Sequence, residues 1–211
     1  MKTIKKVIAI CILLCAFILV FSCGSSDSST KPNEVSEKRD SVYTGAELFR
    51  LNCAGCHGLN REGNPPNFPP LIYVKEKMSK DQIHSQVLHG KGLMHSLAHL
   101  SDSEVNAIIA YLFNEAEQQK VSENYSSEIL GKNIVMSNCV TCHRLSEKDS
   151  LPADAKKLCP LVEPSALQTG AKKLNKEQFL LILKTGPCYM PSFDYLNKND
   201  KEAIWSYLRT I

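Results

Sequence analysis

The chain has 211 residues with 25 basic and 22 acidic side chains, which gives a formal net charge of +3 at pH 7. Three of the lysines lie in an N-terminal segment that we expect to be removed, so the mature chain would carry as many basic as acidic residues. With equal numbers of basic and acidic residues, the mature chain has no excess of positive charge with which to bind a polyanion. We therefore predict no nucleic-acid partner.

The N-terminal segment has the pattern of a secretory signal peptide. Lys2, Lys5 and Lys6 form its basic region, and an apolar run follows over residues 7–21. A run of this length is short for a membrane-spanning helix, which needs about 20 residues. We therefore predict a signal peptide over residues 1–22 and export from the cytoplasm.

A cysteine closes the apolar run. The sequence Val20-Phe21-Ser22-Cys23 resembles a relaxed bacterial lipobox and predicts lipid attachment at Cys23 after cleavage, although Phe21 is an unusual occupant. The alternatives are an uncleaved anchor, ordinary cleavage nearby, or the poorer acceptor Cys15. Residues 23–42 are rich in serine and charged side chains without an apolar period, which predicts a flexible tether.

One cysteine motif occurs in both halves of the chain. Residues 53–57 read Cys-Ala-Gly-Cys-His, and residues 139–143 read Cys-Val-Thr-Cys-His. Two thiols on one helical turn can form thioethers to the two vinyl groups of one porphyrin, and the histidine that follows can bind iron. A zinc ribbon would place its cysteine pairs only about 15–20 residues apart, and a redox dithiol needs no histidine.

The motif therefore predicts two covalently bound haem c groups. The predicted attachment cysteines are Cys53, Cys56, Cys139 and Cys142, and the predicted iron ligands that belong to the motifs are His57 and His143.

The two halves resemble each other beyond this motif. Gly45 and Gly131 are 86 residues apart, as are the two motifs, whereas Ser79 and Asn175 are 96 residues apart. The second copy therefore carries a net insertion of ten residues, within the stretch after His143. This similarity indicates that one domain is used twice.

Each copy is predicted to be a small all-helical unit. The first helix of copy one is expected over about residues 44–54, and its counterpart over about residues 128–140. Later helices are indicated by N-cap residues, most of them in the capping-box pattern. These N-cap residues are Ser79, Ser101, Asn175 and Asn197. The sequence contains no run of alternating β-branched residues that would predict a sheet.

The last helix of each copy is predicted to bury apolar side chains. In copy one these recur at helical spacing, and they are Val105, Ile108, Ile109 and Leu112. In copy two the residues expected in the core are Ile204, Trp205 and Leu208. Each copy is small for a single core to stabilise, and a covalently held haem would fill the interior.

Each iron needs a sixth ligand for simple electron transfer. Of the five methionines, only Met94 and Met190 recur at one repeat position, and a thioether there would stabilise ferrous iron. His95 is the alternative for the first haem, whereas the remaining unassigned histidines are expected at the surface. These are His84, His89 and His99.

Two further cysteines belong to copy two alone. In an oxidising compartment, a disulfide between Cys159 and Cys188 is the default expectation. Because Cys188 lies two residues before Met190, its thiolate is an alternative ligand for the second iron.

Together, these residues resemble the class I cytochromes c, and their pairing resembles the dihaem cytochromes of the c4 type. The matching positions are Gly45, Phe49, Pro70-Leu71, Met94 and Tyr111 in copy one, and Gly131, Val135, Pro160-Leu161, Met190 and Tyr207 in copy two. The resemblance covers residues 43–115 and 126–211, which leaves a linker over residues 116–125. It implies an all-α fold of two tandem domains, each a small helical bundle around a covalent haem.

The resemblance has further implications for the site. The prolyl carbonyl of each Pro-Leu loop would accept a hydrogen bond from the ligand histidine, and the first and last helices would cross at the glycine and tyrosine positions. Met190-Pro191 has the family's usual Met-Pro step, but Met94 is followed by His95.

These patterns predict a lipid-anchored, dihaem electron carrier on the periplasmic side of a bacterial cell envelope. It would not be an enzyme, and its partners would be redox proteins, a quinol-oxidising complex as donor and a terminal reductase or oxidase as acceptor. The alternatives are a dihaem oxidoreductase resembling thiosulfate dehydrogenases with a cysteine-ligated iron, a cytochrome subunit of a larger redox enzyme, and a dihaem peroxidase, for which the chain is short. The sequence leaves the oligomeric state open.

Overall fold

The computed structural model describes residues 41–115, 120–123, 125–152, 155 and 163–211. The predicted signal peptide, Cys23 and nearly all of the tether lie outside these residues. Repeat one (residues 43–115) contains helices α1 Gly45–Asn52, α2 Ala54–His57, α3 Lys80–His89 and α4 Asp102–Leu112, with a 3-10 turn at Val74–Glu76. Repeat two (residues 126–211) contains α5 Ser127–Asn138, α6 Leu167–Lys173, α7 Lys176–Thr185 and α8 Lys198–Thr210. The predicted helical fold is confirmed.

Six of the eight helices described begin where a capping side chain accepts a hydrogen bond from a backbone N–H of the first turn. The predicted N-caps all form complete capping boxes, in which the cap side chain and the third helical residue exchange hydrogen bonds. Thr44 forms a further box with Glu47 at the start of α1. Helix α1 ends at Asn52, a little earlier than expected, because Cys53 leaves the helical conformation with φ −124° and ψ −32°.

The first and last helices of each repeat cross at a glycine. A Cβ atom on Gly45 would lie 2.0 Å from the carbonyl oxygen of Ala107, and one on Gly131 would lie 2.0 Å from that of Ala203. Real Cβ atoms do not approach an oxygen so closely, so α1 can pack on α4, and α5 on α8, only without a side chain there. The crossing that the resemblance implies is therefore present in both repeats.

The core of repeat one follows the prediction, whereas one residue of repeat two does not. Val105, Ile108, Ile109 and Leu112 are all buried. In α8, Ile204 and Leu208 are buried, but Trp205 is only half-buried. Its ring lies against Phe179, with ring centroids 5.1 Å apart, and under the guanidinium group of Arg209. The indole covers the edge of the core instead of filling it.

The structure contains a two-stranded antiparallel sheet that the sequence did not predict. One strand lies at the start of repeat one and the other lies after its end. Strand β1 (Ser41–Thr44) pairs with β2 (Lys120–Glu123), with Ser41 opposite Glu123 and Thr44 opposite Lys120. Each strand has four residues, which is too short for an alternating pattern to stand out. Strand β2 lies inside the segment that we expected to be a plain linker.

The two repeats pack against each other through α1 and α5. The Ser137 hydroxyl donates a 2.7 Å hydrogen bond to Oδ1 of Asn52, and the Asn138 side-chain amide donates one of 2.8 Å to the carbonyl of Leu51. Both bonds are buried, and Leu51 of repeat one packs into the core of repeat two. Within the described residues, no helix is long and apolar enough to span a membrane.

Candidate functional site

Both cysteine motifs fold into a single tight turn at the end of the first helix of their repeat. The backbone N–H of His57 donates to the carbonyl of Cys53 over 3.0 Å, and that of His143 donates to the carbonyl of Cys139 over 2.9 Å. A turn of this kind carries the two thiols of a motif to one edge and the histidine next to them. The local geometry required for attachment to one porphyrin is therefore present twice.

The imidazole of each motif is oriented by a main-chain carbonyl. Nδ1 of His57 donates to the carbonyl of Pro69 over 2.8 Å, and Nδ1 of His143 donates to that of Ser165 over 2.9 Å. A carbonyl can only accept, so Nδ1 carries the proton and Nε2 keeps its lone pair. This is the usual arrangement by which a neighbouring group prepares a histidine for metal binding.

A prolyl carbonyl accepts the histidine hydrogen bond in repeat one, as the resemblance implied, but not in repeat two. In repeat one the acceptor is Pro69, the residue before the Pro70-Leu71 step. In repeat two it is Ser165, whereas Pro160-Leu161 lies outside the described residues. Pro69 and Ser165 are 96 residues apart, so the ten-residue insertion is already complete at Ser165. The bond uses a backbone oxygen, so it does not require a proline.

A cleft beside the first motif brings together all four residues predicted for the first haem. Cys53, Cys56 and His57 line one part of it, and Met94 lines another. The loop of Met94 is closed by paired backbone hydrogen bonds with Lys91, of 2.7 and 3.1 Å. Two thiols, an imidazole with an available Nε2 and a thioether around one cleft fit a haem c group.

The loop that carries Met190 is built in the same way as the loop of Met94. The N–H of Leu97 donates to the carbonyl of Val87 over 2.9 Å, and the N–H of Phe193 donates to that of Leu183 over 2.7 Å. Gly90 and Gly186 both adopt a positive φ, of 73° and 56°. In each case a Cβ atom would lie 2.5 Å from the carbonyl oxygen of the methionine, so these glycines permit both methionine loops.

Burial raises the pKa of three of the four motif thiols. It raises the pKa of Cys53 and of Cys139 to about 12. Burial, together with the nearby Cys142, raises the pKa of Cys56 to about 11. Within the described part of the chain, no three His, Cys, Asp or Glu side chains converge on a common metal position.

His95 contacts repeat two through both ring nitrogens. Its Nε2 lies 2.7 Å from the carbonyl of Met136, and its Nδ1 lies 2.6 Å from the hydroxyl of Thr141. A histidine in this position has no nitrogen left for iron. The geometry therefore favours Met94 over His95 as the sixth ligand of the first haem.

The other histidines differ in exposure. His89 is exposed and His84 is half-exposed beside Asp102. His99 was expected at the surface, but it is half-buried between the repeats, with Nε2 3.0 Å from the hydroxyl of Ser137. The prediction was wrong for His99 because the packing of one repeat on the other covers it.

The two remaining cysteines are only partly described. Cys188 is exposed and adopts a positive φ of 57°, at the position where repeat one has Gly92 with φ 61°. Cys159 lies outside the described residues, so the disulfide between them stays a prediction.

Sequence reasoning missed the residues that join the two sites. Thr141 and Ser137 belong to repeat two but line the cleft of repeat one. Tyr195 is half-buried beside Gly55, where a Cβ atom would lie 3.3 Å from the tyrosine hydroxyl. Only Ser165 had a usable signal, because the 96-residue register places it opposite Pro69.

Known proteins show similarity to most of the chain. Residues 40–112 and 129–208 match the family model described as cytochrome c oxidase, cbb3-type, subunit III. A cytochrome bc1 complex cytochrome c subunit of Mycobacterium leprae is 28% identical over 191 residues, which cover 81% of this chain and 61% of that protein. Cytochrome c-551 of Bacillus subtilis is 31% identical over 99 residues, or 46% of this chain and 85% of that protein. The chain spans less than two thirds of the length of the bc1 relatives that it matches.

Proposed function

This chain belongs to the family described as cytochrome c oxidase, cbb3-type, subunit III, a family of c-type cytochromes, and from that premise we propose that it carries single electrons through two haem c groups. It is an electron-transfer protein and not itself an enzyme. Its two haem domains would occupy residues 43–115 and 126–211.

Each repeat supplies one complete set of haem-binding residues. In repeat one, Cys53 and Cys56 would hold the porphyrin, while His57 and Met94 would bind iron. The corresponding residues of repeat two are Cys139, Cys142, His143 and Met190. The bound haem supplies reversible one-electron chemistry at its iron, and a methionine thioether raises the reduction potential by favouring the ferrous form.

The observation that carries this proposal is that the oriented motif histidine and the methionine loop occur in both repeats. His57 and His143 donate to equivalent carbonyls over 2.8 and 2.9 Å, and the loops of Met94 and Met190 are anchored to equivalent helices. Two sites with one ligand set suit transfer of electrons between similar centres. An enzyme of the thiosulfate dehydrogenase kind would need a cysteine on one iron. Met190 occupies the same repeat position as Met94, which argues against a cysteine ligand for the second iron.

Redox titration with optical spectra tests the ligand assignment. We expect two one-electron transitions and a weak ferric absorption near the red end of the visible range, from sulfur-to-iron charge transfer. Met94→Ala and Met190→Ala should each remove about half of this band and lower the potential of one haem. Uptake of fewer than two electrons, or a band that survives both substitutions, contradicts the proposal.

The partners and the location follow from the relatives and the N-terminus. Because the similar mycobacterial proteins are named as subunits of a bc1 complex, we place the electron donor among bc1-type quinol-oxidising complexes and the acceptor among terminal oxidases. The signal peptide over residues 1–22 would deliver the chain to the periplasmic side of the membrane. Lipid on Cys23 would hold it there.

Metabolic labelling tests the anchor. Labelled fatty acid should enter the wild-type protein and be absent from Cys23→Ala, which should accumulate as the precursor. Equal labelling of the two proteins contradicts the assignment of Cys23.

A further inference from the structure

Repeat one holds its methionine loop by a contact that repeat two lacks. His95 directly follows Met94, whereas Pro191 directly follows Met190. A proline ring restrains its own backbone and offers no hydrogen bond. The histidine instead reaches Met136 and Thr141 of the other repeat.

The two hydrogen bonds specify one form of the His95 ring. The carbonyl of Met136 can only accept, so Nε2 of His95 carries the proton and donates it over 2.7 Å. Nδ1 then accepts the Thr141 hydroxyl proton over 2.6 Å. Both partners are on repeat two, one near the end of α5 and the other inside the second cysteine motif.

Thr141 is well placed to act on the first haem site. It is buried, and it lies between Cys139 and Cys142 of its own motif. Its side chain also lines the cleft that contains His57 and Met94. The second attachment motif therefore forms part of the wall of the first site.

The contact has no counterpart in the opposite direction. The residue of repeat one that corresponds to Thr141 is Gly55, which has no hydroxyl group. A Cβ atom on Gly55 would lie 2.5 Å from Oδ1 of Asn138, so a side chain would not fit there without movement. The residue that corresponds to His95 is Pro191. Only the first site receives this support from its neighbour.

We propose that His95 and Thr141 are positioning residues through which repeat two holds the Met94 loop against the first haem. This inference rests on the proposed ligation of the first iron by Met94. We call the pair of hydrogen bonds that join His95 to Met136 and Thr141 the clamp. It replaces the backbone restraint that Pro191 gives the Met190 loop. The first methionine–iron bond would therefore have a hydrogen-bonded support from the other repeat, which Pro191 cannot provide to the second.

The test measures how fast added imidazole displaces Met94 from the ferric protein. The red absorption band reports the bond, and a Met190→Ala background restricts that band to the first haem. In this background, Thr141→Val removes the hydroxyl group at nearly constant volume, and Thr141→Ser retains it. Thr185→Val is the control, because the hydrogen bond that its hydroxyl makes among the described residues stays within α7, to the carbonyl of Leu181.

We expect Thr141→Val to accelerate displacement roughly fivefold, the effect of losing one ordinary hydrogen bond. Thr141→Ser and Thr185→Val should remain close to the background rate. If imidazole displaces Met94 from the Thr141→Val variant at the background rate and the red band is intact, the clamp is refuted. Ligation of the first iron by Met94 would still stand. If the Met190→Ala protein has no red band at all, both the ligation by Met94 and the clamp are refuted.

A second variant keeps the test decisive if Thr141→Val folds poorly. His95→Phe retains an aromatic ring but removes both hydrogen bonds, and it should also accelerate displacement. An unchanged displacement rate in His95→Phe overturns the proposal.

Discussion

The guanidinium group of Arg50 lies 2.6 Å from the carboxylate of Asp200 and so joins the first helix of repeat one to the last helix of repeat two. The Asp200 side chain is almost fully buried, and the same oxygen accepts the backbone N–H of Asn197 at the start of α8. The ion pair therefore links the contact between repeats to the helix that closes the second core.

Removal of Arg50 should destabilise the protein, because a buried carboxylate would be left without its cation. We expect Arg50→Ala to lower the free energy of unfolding by about 3 kcal/mol, measured by urea denaturation. Lys176→Ala is the control, since Lys176 also lies 2.6 Å from a carboxylate, that of Glu202, but both side chains are more than a third exposed. That change should cost about 1 kcal/mol or less. Equal losses in the two variants contradict the role of burial.

The helix crossings should not tolerate even one methyl group. Gly45→Ala would place Cβ 2.0 Å from the carbonyl oxygen of Ala107, and we expect a loss of about 3 kcal/mol in the free energy of unfolding. Gly170→Ala makes the same chemical change in helix α6, where the nearest foreign atom is the Ser165 hydroxyl at 3.3 Å. That control should change the free energy by about 1 kcal/mol at most. Thermal unfolding of both variants, with the haem content checked, decides the point.

Each repeat should attach one haem group covalently and independently of the other repeat. The mass of the intact wild-type protein should exceed that of the polypeptide by two haem groups, which survive extraction with acidified acetone. The double variant Cys139→Ala, Cys142→Ala should lose one haem group and keep the one on Cys53 and Cys56. Retention of both haem groups in that variant would refute the assignment of the second motif.

Acid should weaken the protein through His99. Burial lowers the pKa of His99, and His95 and Lys132 lower it further, against the opposing effects of Glu104 and the Asn133 backbone. Above the unfolded pKa of about 6.5 both states are neutral; below it the unfolded chain takes up the proton first. The free energy of unfolding should therefore fall as the pH drops below about 6.5.

Urea denaturation at a series of pH values measures this fall. His99→Gln should make it shallower, whereas His89→Gln, which changes an exposed ring, should leave the slope as in the wild type. A slope that does not respond to His99→Gln would show that the junction contributes nothing to the acid sensitivity.

The sequence was a good guide wherever a local rule decides the structure. Capping boxes placed the starts of the helices at Ser79 and Asn175, and the repeat register placed Met94 and Met190 in equivalent loops. It failed at Ser165 because we matched Pro160-Leu161 to the Pro70-Leu71 step, whereas the 96-residue register places Ser165 opposite Pro69.

Contacts between the repeats were beyond the reach of sequence patterns. Both ring nitrogens of His95 are used across the junction, and His99 is covered by it. Each pattern was read within one copy, and neither copy contains information on which of its faces meets the other. The short pairing of β1 with β2 escaped for a related reason, because it joins two segments that each look like irregular chain.

The pairing of β1 with β2 also determines which part of the protein would first resist a pulling force applied at the N-terminus. Residues 1–40 enter the described structure at Ser41, in the first strand, and the partner strand leads on to repeat two. If the proposed lipid anchor holds the N-terminus, a pulling force on it would act on these paired strands before it reached α1, and β2 would transmit part of the force to repeat two. Helix α1, which ends at Asn52 just before the first cysteine motif, would thus be relieved of part of this force.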